Sequence, residues 1–292
     1  MKSKSFVRFA SRSAISAVLL ITVGISCRRE AENKPLLCYV GGTMRPAVEK
    51  LAEMYKKETG QSVEIDYAGS GELLIKIEQT HKGDLYICHD PFLAAARKKG
   101  IVRKSWTLAE LSPVIVVPKG NPKKIGGLQD LTKPGIKLVL THQMYSTTGH
   151  IVDRMISKYG LQGLNSNVVS RTRGGGAAAN AVMLGSADAA IVWDAVAYLR
   201  HDSLDSIPIE SRYQLKRGED AVTTATFDRI EMDYIRVTLA LLTTSRQPDR
   251  AGKFAEFMVA KRNRHIWDEF GFSPPDPTRG ADDNSTSLKK NS

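Results

Sequence analysis

The sequence has few cysteines, few aromatic residues and no apolar run long enough to cross a membrane. Of its 292 residues, three are cysteine and 7% are aromatic. The apolar and small residues of 13–26 form a run of about 14, whereas a transmembrane helix needs about 20. The chain is nevertheless long enough for two lobes of ordinary size, and it contains no internal repeat.

Acidic residues are missing from the first 26 positions, which carry four basic side chains. The net charge of +11 therefore falls to +7 (11 − 4) when that segment is removed. The remaining excess is spread along the chain without a long basic block or interleaved aromatic residues. Nucleic-acid binding needs a concentrated basic stripe. We therefore expect a basic, soluble surface and no nucleic-acid partner.

The N-terminus has the pattern of an export signal. A basic segment, 1–12, precedes the short apolar run, and small residues precede a cut site at Cys27. The sequence Gly24-Ile25-Ser26-Cys27 resembles a bacterial lipobox, although Gly24 stands where Leu is usual. The pattern predicts a signal peptide over 1–26, a lipid anchor on Cys27 and a polar tether over 27–35.

The other two cysteines, Cys38 and Cys88, lie in predicted core strands. An exported protein could oxidise them. A bridge across a parallel sheet would strain the disulfide geometry, whereas a free cysteine packs as a small apolar residue. We therefore predict free thiols.

Strands and amphipathic helices alternate from Leu36 onwards. Strands over 36–40 and 63–67 are each followed by a small-residue turn with a hydroxyl, Thr43 or Ser70, and then by a helix. This β-α-β order predicts a parallel sheet with helices on both faces. Helix N-termini present unpaired N–H groups and the positive end of the helix dipole, so two of them side by side predict an anion site.

A second α/β unit is predicted after an apolar strand at 113–118. The predicted strands are 137–140, 168–170, 189–193 and 234–242, and the predicted helices are 151–159, 177–184, 195–200 and 251–259. The segment 202–231 has no strong period and is expected to be irregular with one or two strands. The polar segment 273–292 is expected to be a disordered tail.

Several of these segments, taken in order, resemble the periplasmic molybdate-binding proteins of ABC importers. The resemblance covers about residues 36–272. Its motifs are Gly41-Gly42-Thr43, the helix with Tyr55-Lys56-Lys57-Glu58-Thr59-Gly60, Tyr67-Ala68-Gly69-Ser70-Gly71, Gly83-Asp84-Leu85-Tyr86-Ile87, Thr148-Gly149, Ala189-Ala190-Ile191-Val192-Trp193 and Phe270-Gly271-Phe272.

The resemblance implies the α/β fold of a type II periplasmic binding protein. Two lobes, each a mostly parallel sheet flanked by helices, would be joined by crossover strands and would close on the ligand. Lobe one would comprise 36–116 plus 232–272, and lobe two would comprise 117–231.

The resemblance also implies a set of ligand-binding residues. The hydroxyl positions of the family fall on Thr43 and Ser70, and its backbone donors fall on Thr148 and near Gly176. Its tyrosine falls on Trp193, which has only an indole N–H and a larger ring system. Taken singly, each hydroxyl could instead be an ordinary helix N-cap.

Neutral donors at four helix starts suit a fully deprotonated dianion. Monohydrogen phosphate would prefer a carboxylate that accepts its proton, and only Glu72 and Asp194 are adjacent, so phosphate is disfavoured. The choice among molybdate, tungstate and sulfate depends on the cavity radius and stays open. Molybdenum or tungsten would be held only as the oxyanion, without a separate metal site or cofactor.

The residues do not favour catalysis, a metal site or dinucleotide binding. Cys88, His89 and Asp90 are contiguous, and neighbours along a strand point to opposite faces, which disfavours a catalytic triad. His142 and His150 lack further ligands for a metal. Arg171 and Arg173 could steer anions towards the cleft or could simply be solvated. The glycines 174–176 do not match a dinucleotide-binding fingerprint.

We predict a non-enzymatic, extracytoplasmic solute-binding protein that captures molybdate or tungstate for an ABC importer. Its partners would be the oxyanion and a permease in the inner membrane. It would be a monomer in the periplasm, anchored by its lipid. The alternatives are a receptor for sulfate or another anion, a sensory lipoprotein, and an exported hydrolase-type enzyme that uses Cys88 and His89.

Overall fold

The computed structural model describes residues 34–143, 146–216, 219–222, 230–231 and 235–276. The predicted signal peptide and the predicted anchor Cys27 lie outside the described residues. Within the described ranges, no helix is both long and apolar enough to cross a membrane.

The first sheet has the strand order β2-β1-β3-β12-β4. Its first three strands in the chain pair in parallel, and β12 runs antiparallel to both of its neighbours, so four of the five strands share one direction. The strands are β1 (Leu36–Gly41), β2 (Val63–Ala68), β3 (Leu85–His89), β4 (Val102–Leu111) and β12 (Ile235–Leu242).

The second sheet repeats this arrangement with the order β7-β6-β8-β5-β9. Strand β6 pairs in parallel with β7 and β8, while β5 runs antiparallel to β8 and β9. The strands are β5 (Pro113–Pro118), β6 (Leu138–Thr141), β7 (Val168–Thr172), β8 (Ala189–Trp193) and β9 (Leu204–Pro208). A separate antiparallel pair joins β10 (Ala221–Val222) to β11 (Ile230–Glu231).

Helices flank both sheets, which confirms the predicted fold of two mostly parallel α/β lobes. The helices are α1 (Arg45–Thr59), α2 (Ser70–Thr80), α3 (Phe92–Lys98), α4 (Thr147–Lys158), α5 (Gly163–Asn167), α6 (Gly175–Met183), α7 (Asp194–Tyr198), α8 (Pro248–Val259) and α9 (His265–Asp268). Short 3₁₀ turns cover Gly42–Met44, Leu128–Thr132, Ser211–Tyr213 and Lys261–Asn263.

Apolar residues three or four apart bury one face of α1 against the first sheet, as the periodicity predicts. The buried residues are Ala47, Val48, Leu51, Ala52 and Tyr55. The helix ends at Gly60, whose φ of 76° lies in the left-handed region that favours glycine.

One long strand of the first sheet was not predicted. The sequence indicated a single strand near 113–118, but β4 precedes it and β5 lies in the second sheet. The chain therefore passes between the sheets at Ser112, the residue between these two strands. The residue bounds predicted for the two lobes stay a prediction.

The predicted tail begins with ordered contacts. Ser273 forms a β-bridge with Glu110, and the backbone N–H of Asp276 donates to Glu110 Oε1 at 3.1 Å. The first residues of 273–292 therefore belong to the folded part, and residues beyond 276 lie outside the described ranges. The predicted irregular segment 202–231 contains β9, which is an edge strand of the second sheet.

The two cysteines of the first sheet are free and fully buried, as predicted. Cys38 packs into the main apolar core, whereas Cys88 belongs to the smaller cluster with Tyr86 and Leu93. Because the two thiols belong to different clusters, they are not placed to form a disulfide.

Candidate functional site

The carboxyl ends of the parallel strands carry the residues that the sequence singled out. Strand β1 ends at Gly41 and β2 at Ala68, while β6 ends at Thr141 and β8 at Trp193. In open α/β sheets, ligands bind outside these strand ends, where helix N-termini follow. The hydroxyls and helix starts singled out by the sequence therefore follow the carboxyl ends of strands in both sheets.

Ser70 is the first residue of α2 and is 5% exposed. Its Oγ is buried and has no hydrogen-bond partner. The N-cap position is held by Gly69, whose N–H donates to Glu72 Oε2 at 3.3 Å, and the Ser70 carbonyl accepts from Tyr86 Oη at 2.7 Å. The Ser70 hydroxyl is therefore not used to cap its own helix.

Thr43 lies in the 3₁₀ turn before α1 and is half-buried. No side-chain cap precedes α1, and among the described residues none is hydrogen-bonded to the Thr43 hydroxyl. Gly41 lies between this turn and Ser70, because a Cβ built on Gly41 would be 2.5 Å from Met44 Cε, at the end of the turn, and 2.6 Å from Ser70 Oγ. The glycine leaves the space in which the Ser70 hydroxyl sits.

The exchange Gly41→Ala should displace the Ser70 hydroxyl together with the Met44 methyl group and weaken anion binding by about tenfold, equivalent to roughly one lost hydrogen bond. The matched control is Gly42→Ala, where the new Cβ would be in ordinary van der Waals contact, 3.8 Å from the carbonyl oxygen of Ala68. Isothermal titration with molybdate measures both variants. Equal affinities for the two variants would show that Ser70 does not contact the ligand.

Thr148 is the second residue of α4 and is completely buried. Its Oγ1 also lacks a partner. The preceding Thr147 reaches the other lobe, where its Oγ1 lies 3.4 Å from the carbonyl oxygen of Asp90. The start of α4 therefore lies at the contact between the lobes. Thr147 is hydrogen-bonded across this contact, whereas the Thr148 hydroxyl has no hydrogen-bond partner.

Gly176 is the second residue of α6 and is half-buried. The turn before it is held by Thr172, whose Oγ1 donates to the Gly174 carbonyl at 3.0 Å. No side chain caps this helix, so the N–H groups of its first turn remain available as donors.

Trp193 ends β8 and is 3% exposed. Its ring centroid lies 6.0 Å from that of His89, the last residue of β3 in the other lobe. The His89 ring in turn lies 5.5 Å from Phe92. Trp193 thus forms part of an aromatic contact between the lobes, which the sequence did not predict.

The sequence also missed Thr141, at the end of β6. Its side chain is 1% exposed, and its Oγ1 has no partner. In the described part of the chain, four buried side-chain polar atoms lack a hydrogen bond, and three of them are the hydroxyls of Ser70, Thr141 and Thr148. The signal that could have revealed Thr141 is its hydroxyl at a strand end, directly before the loop that leads to α4.

Both carboxylates near the candidate site already accept hydrogen bonds from backbone N–H groups. Glu72 accepts the Gly69 N–H and lies 3.8 Å from Arg173 Nη2 of lobe two. Asp194 accepts the N–H groups of Ala195 and Ser112 at 2.9 and 3.1 Å. Burial raises the pKa of Asp194 to about 7.

The contiguous Cys88 and His89 do not form a nucleophile and base. Cys88 is fully buried, and burial raises the pKa of its thiol to about 12. Since the thiolate is the reactive species, this cysteine is inert at neutral pH. Among the described residues, no group of three or more His, Cys, Asp or Glu side chains could hold a metal ion.

Comparisons with known proteins agree with this geometry. Residues 36–273 match the family of bacterial extracellular solute-binding proteins. The molybdate-binding protein ModA of Mycobacterium tuberculosis is 25% identical over 248 residues, which cover 83% of this chain and 85% of ModA. The resemblance inferred from the sequence motifs is thereby confirmed at the level of the family.

Solved structures share the two-lobed fold. The substrate-binding domain of a molybdenum ABC transporter from Clostridium difficile superposes with a TM-score of 0.65 at 19% identity, over 83% of this chain and 99% of that domain. The sulfate-binding protein SubI of Mycobacterium tuberculosis gives 0.67 at 20% identity, over 84% of this chain and 88% of SubI. The chain belongs to the bacterial extracellular solute-binding protein family, whose members bind solutes and are not enzymes.

Proposed function

We propose that this protein captures a tetrahedral oxyanion, molybdate or tungstate, in the cleft between its lobes and delivers it to the permease of an ABC importer. The proposed ligand-binding residues are Thr43, Ser70, Thr148, Gly176 and Trp193, and Thr141 joins them. The relative named for molybdate binding supports this choice of solute.

The observation that carries the proposal is the set of buried, unpartnered hydroxyls on Ser70, Thr141 and Thr148. A buried polar group without a partner costs about 1–3 kcal/mol of stability. Such groups are rare in folded proteins and call for an explanation, and a bound ligand that accepts their hydrogen bonds supplies one.

The donor set suits an anion that has acceptors only. Hydroxyls and first-turn N–H groups can each donate to an oxygen, and the positive ends of two helix dipoles, those of α2 and α6, favour negative charge. Hydrogen bonds to a charged acceptor contribute about 1.5–3 kcal/mol each. A dianion with four equivalent oxygens can therefore satisfy both lobes at once and stabilise their closed arrangement.

The test is calorimetric titration of the protein with molybdate, tungstate, sulfate and phosphate under one set of conditions. Tight binding of molybdate and tungstate with weak binding of sulfate and phosphate is expected. A preference for sulfate would reassign the solute within the same class of protein. Absence of binding to all four anions would refute the proposal.

The proposal includes export and a lipid anchor on Cys27, which keeps a monomeric receptor beside its permease. Fractionation of cells that produce the full chain tests the anchor. The protein should be recovered with membranes, and Cys27→Ser should release it into the soluble extracytoplasmic fraction. Equal release of both forms would eliminate the anchor without affecting the assignment of the solute.

A further inference from the structure

His89 stands at the lobe contact and is an additional candidate for contact with the ligand. It is the last residue of β3, at the same sheet edge as the end of β1. Its ring lies between Trp193 of lobe two and Phe92, at centroid distances of 6.0 and 5.5 Å. A Cβ built on Gly71, which follows Ser70, would be 3.0 Å from Phe92 Cε1. A short series of contacts therefore connects His89 to the Ser70 helix start.

Hydrogen bonding fixes the tautomer of His89. Its Nδ1 lies 2.8 Å from the carbonyl oxygen of Asp90. A carbonyl oxygen can only accept, so Nδ1 carries a hydrogen and the neutral ring has a bare Nε2. Within the described ranges, no residue is found hydrogen-bonded to Nε2. This nitrogen can therefore take up a proton without breaking an existing bond.

The charges around His89 already balance each other. On its own segment, Asp90 accepts from the backbone N–H and the Nε of Arg236 of β12, at 3.1 and 3.0 Å. The facing residues Phe92 and Trp193 carry no charge. Asp194 directly follows Trp193, and burial raises its pKa to about 7. Burial lowers the pKa of His89 below its ordinary value of about 6.5. In the absence of a ligand, the imidazole is therefore neutral at pH 7.

We propose that His89 takes up a proton at Nε2 when the anion enters the cleft and then donates a hydrogen bond to it. The proton comes from the buffer acid, and no covalent bond of the ligand forms or breaks. This inference rests on the proposed function. It makes His89 a contact residue that couples the affinity for an oxyanion to pH.

The sign of the coupling follows from proton linkage. A dianion close to the ring stabilises imidazolium, so the complex binds more protons than the free protein. The affinity therefore rises as the pH falls from 8 towards the pKa of His89 in the free protein. This gain in affinity is lost as the pH rises through the higher pKa of His89 in the complex. One proton limits the slope to about tenfold per pH unit, and roughly tenfold in total is expected between pH 8 and pH 6.

Calorimetry with molybdate in two buffers of different ionisation enthalpy measures the proton uptake at pH 6.5. The wild type should take up a substantial fraction of one proton. His89→Gln, which removes the titrating imidazole, should lose most of this proton uptake and should show a shallower pH profile than the wild type. The matched control is His265→Gln, which replaces an exposed ring in α9. This variant should leave the proton uptake and the pH dependence of the affinity unchanged. Proton uptake retained by His89→Gln would overturn the inference.

A second measurement covers the case in which His89→Gln does not fold. The His89 ring of the wild type is followed by NMR through a pH titration with and without saturating molybdate, and its midpoint should move upwards in the complex. An unchanged midpoint would overturn this inference alone. Failure of the wild type to bind any of the four anions would instead refute the proposed function.

Discussion

The double exchange Ser70→Ala with Thr148→Val is expected to weaken molybdate binding by about 100-fold or more. Each hydroxyl would donate one hydrogen bond to a charged oxygen, and two such bonds contribute roughly 3–6 kcal/mol together. A factor of ten in affinity corresponds to about 1.4 kcal/mol. Calorimetric titration of the double variant measures this loss of affinity. The two single variants show how much of the loss comes from Ser70 in one lobe and from Thr148 in the other.

The stability of the same variant separates a binding role from a structural one. Both hydroxyls are buried without partners in the unliganded protein, so their removal should leave the free energy of unfolding unchanged or slightly higher. The matched control is Ser245→Ala. That buried hydroxyl donates to Asp84 Oδ1 at 2.6 Å, so its loss should lower stability by about 1–3 kcal/mol without changing affinity.

Two outcomes would contradict this account. Unchanged affinity in the double variant would place the solute elsewhere. A fall in stability comparable to that of Ser245→Ala would mean that the hydroxyls of Ser70 and Thr148 hold the fold together. The expected combination, a large loss of affinity with no loss of stability, distinguishes ligand-binding groups from structural ones.

The sequence predicted the structure correctly where local patterns determine the strands and helices. The strand-turn-helix order around Thr43 and Ser70 predicts the parallel pairing of β1 with β2, which the structure confirms, and it places the proposed site at the carboxyl ends of these strands. The expectation that such hydroxyls could be ordinary N-caps was wrong for Ser70 and Thr148. Each lies one or two residues inside its helix, and neither hydroxyl has a hydrogen-bond partner.

Strand β4 was not predicted from the sequence, and the reason is physical. Its first half carries Arg103 and Lys104, which are adjacent and both exposed, whereas residues 108–111 are all buried, so the alternation typical of a half-buried strand is missing. The pairing with β12 shifts register near Leu108, as expected of a β-bulge. Strand β4 is held in place by its pairing with β12, which lies more than 120 residues later in the sequence. Local sequence patterns cannot reveal a pairing over such a distance.

The parts of the site that the sequence missed depend on contacts between distant segments. Thr141 becomes significant only because its hydroxyl is buried without a partner. The contact between Trp193 and His89 joins the ends of two strands in different sheets, and no spacing in the sequence encodes it. Local pattern therefore predicts where the helices of the proposed site begin, whereas the side chains that meet at the lobe contact are visible only in the structure.

Gly149→Ala should impair both stability and binding, because the start of α4 is packed directly against backbone. A Cβ on Gly149 would be 2.7 Å from Gln143 N, 2.7 Å from Thr141 O and 2.8 Å from His142 C. Backbone atoms cannot rotate away as a side chain can, so the loop must shift. Overpacking of this kind costs about 1–3 kcal/mol, which lowers the melting temperature by several degrees in a protein of this size.

The matched control is another helical glycine, Gly252 of α8, whose added Cβ would have open space around it. Gly252→Ala should raise stability by up to about 1 kcal/mol, since alanine favours the helix.

Thermal unfolding compares the stability of the two variants, and titration with molybdate compares their affinity. Because Thr141 and Thr148 flank the displaced segment, Gly149→Ala should also bind at least about tenfold more weakly, equivalent to roughly one lost hydrogen bond. Normal affinity in a destabilised Gly149→Ala protein would mean that the positions of the lobe-two hydroxyls do not determine binding.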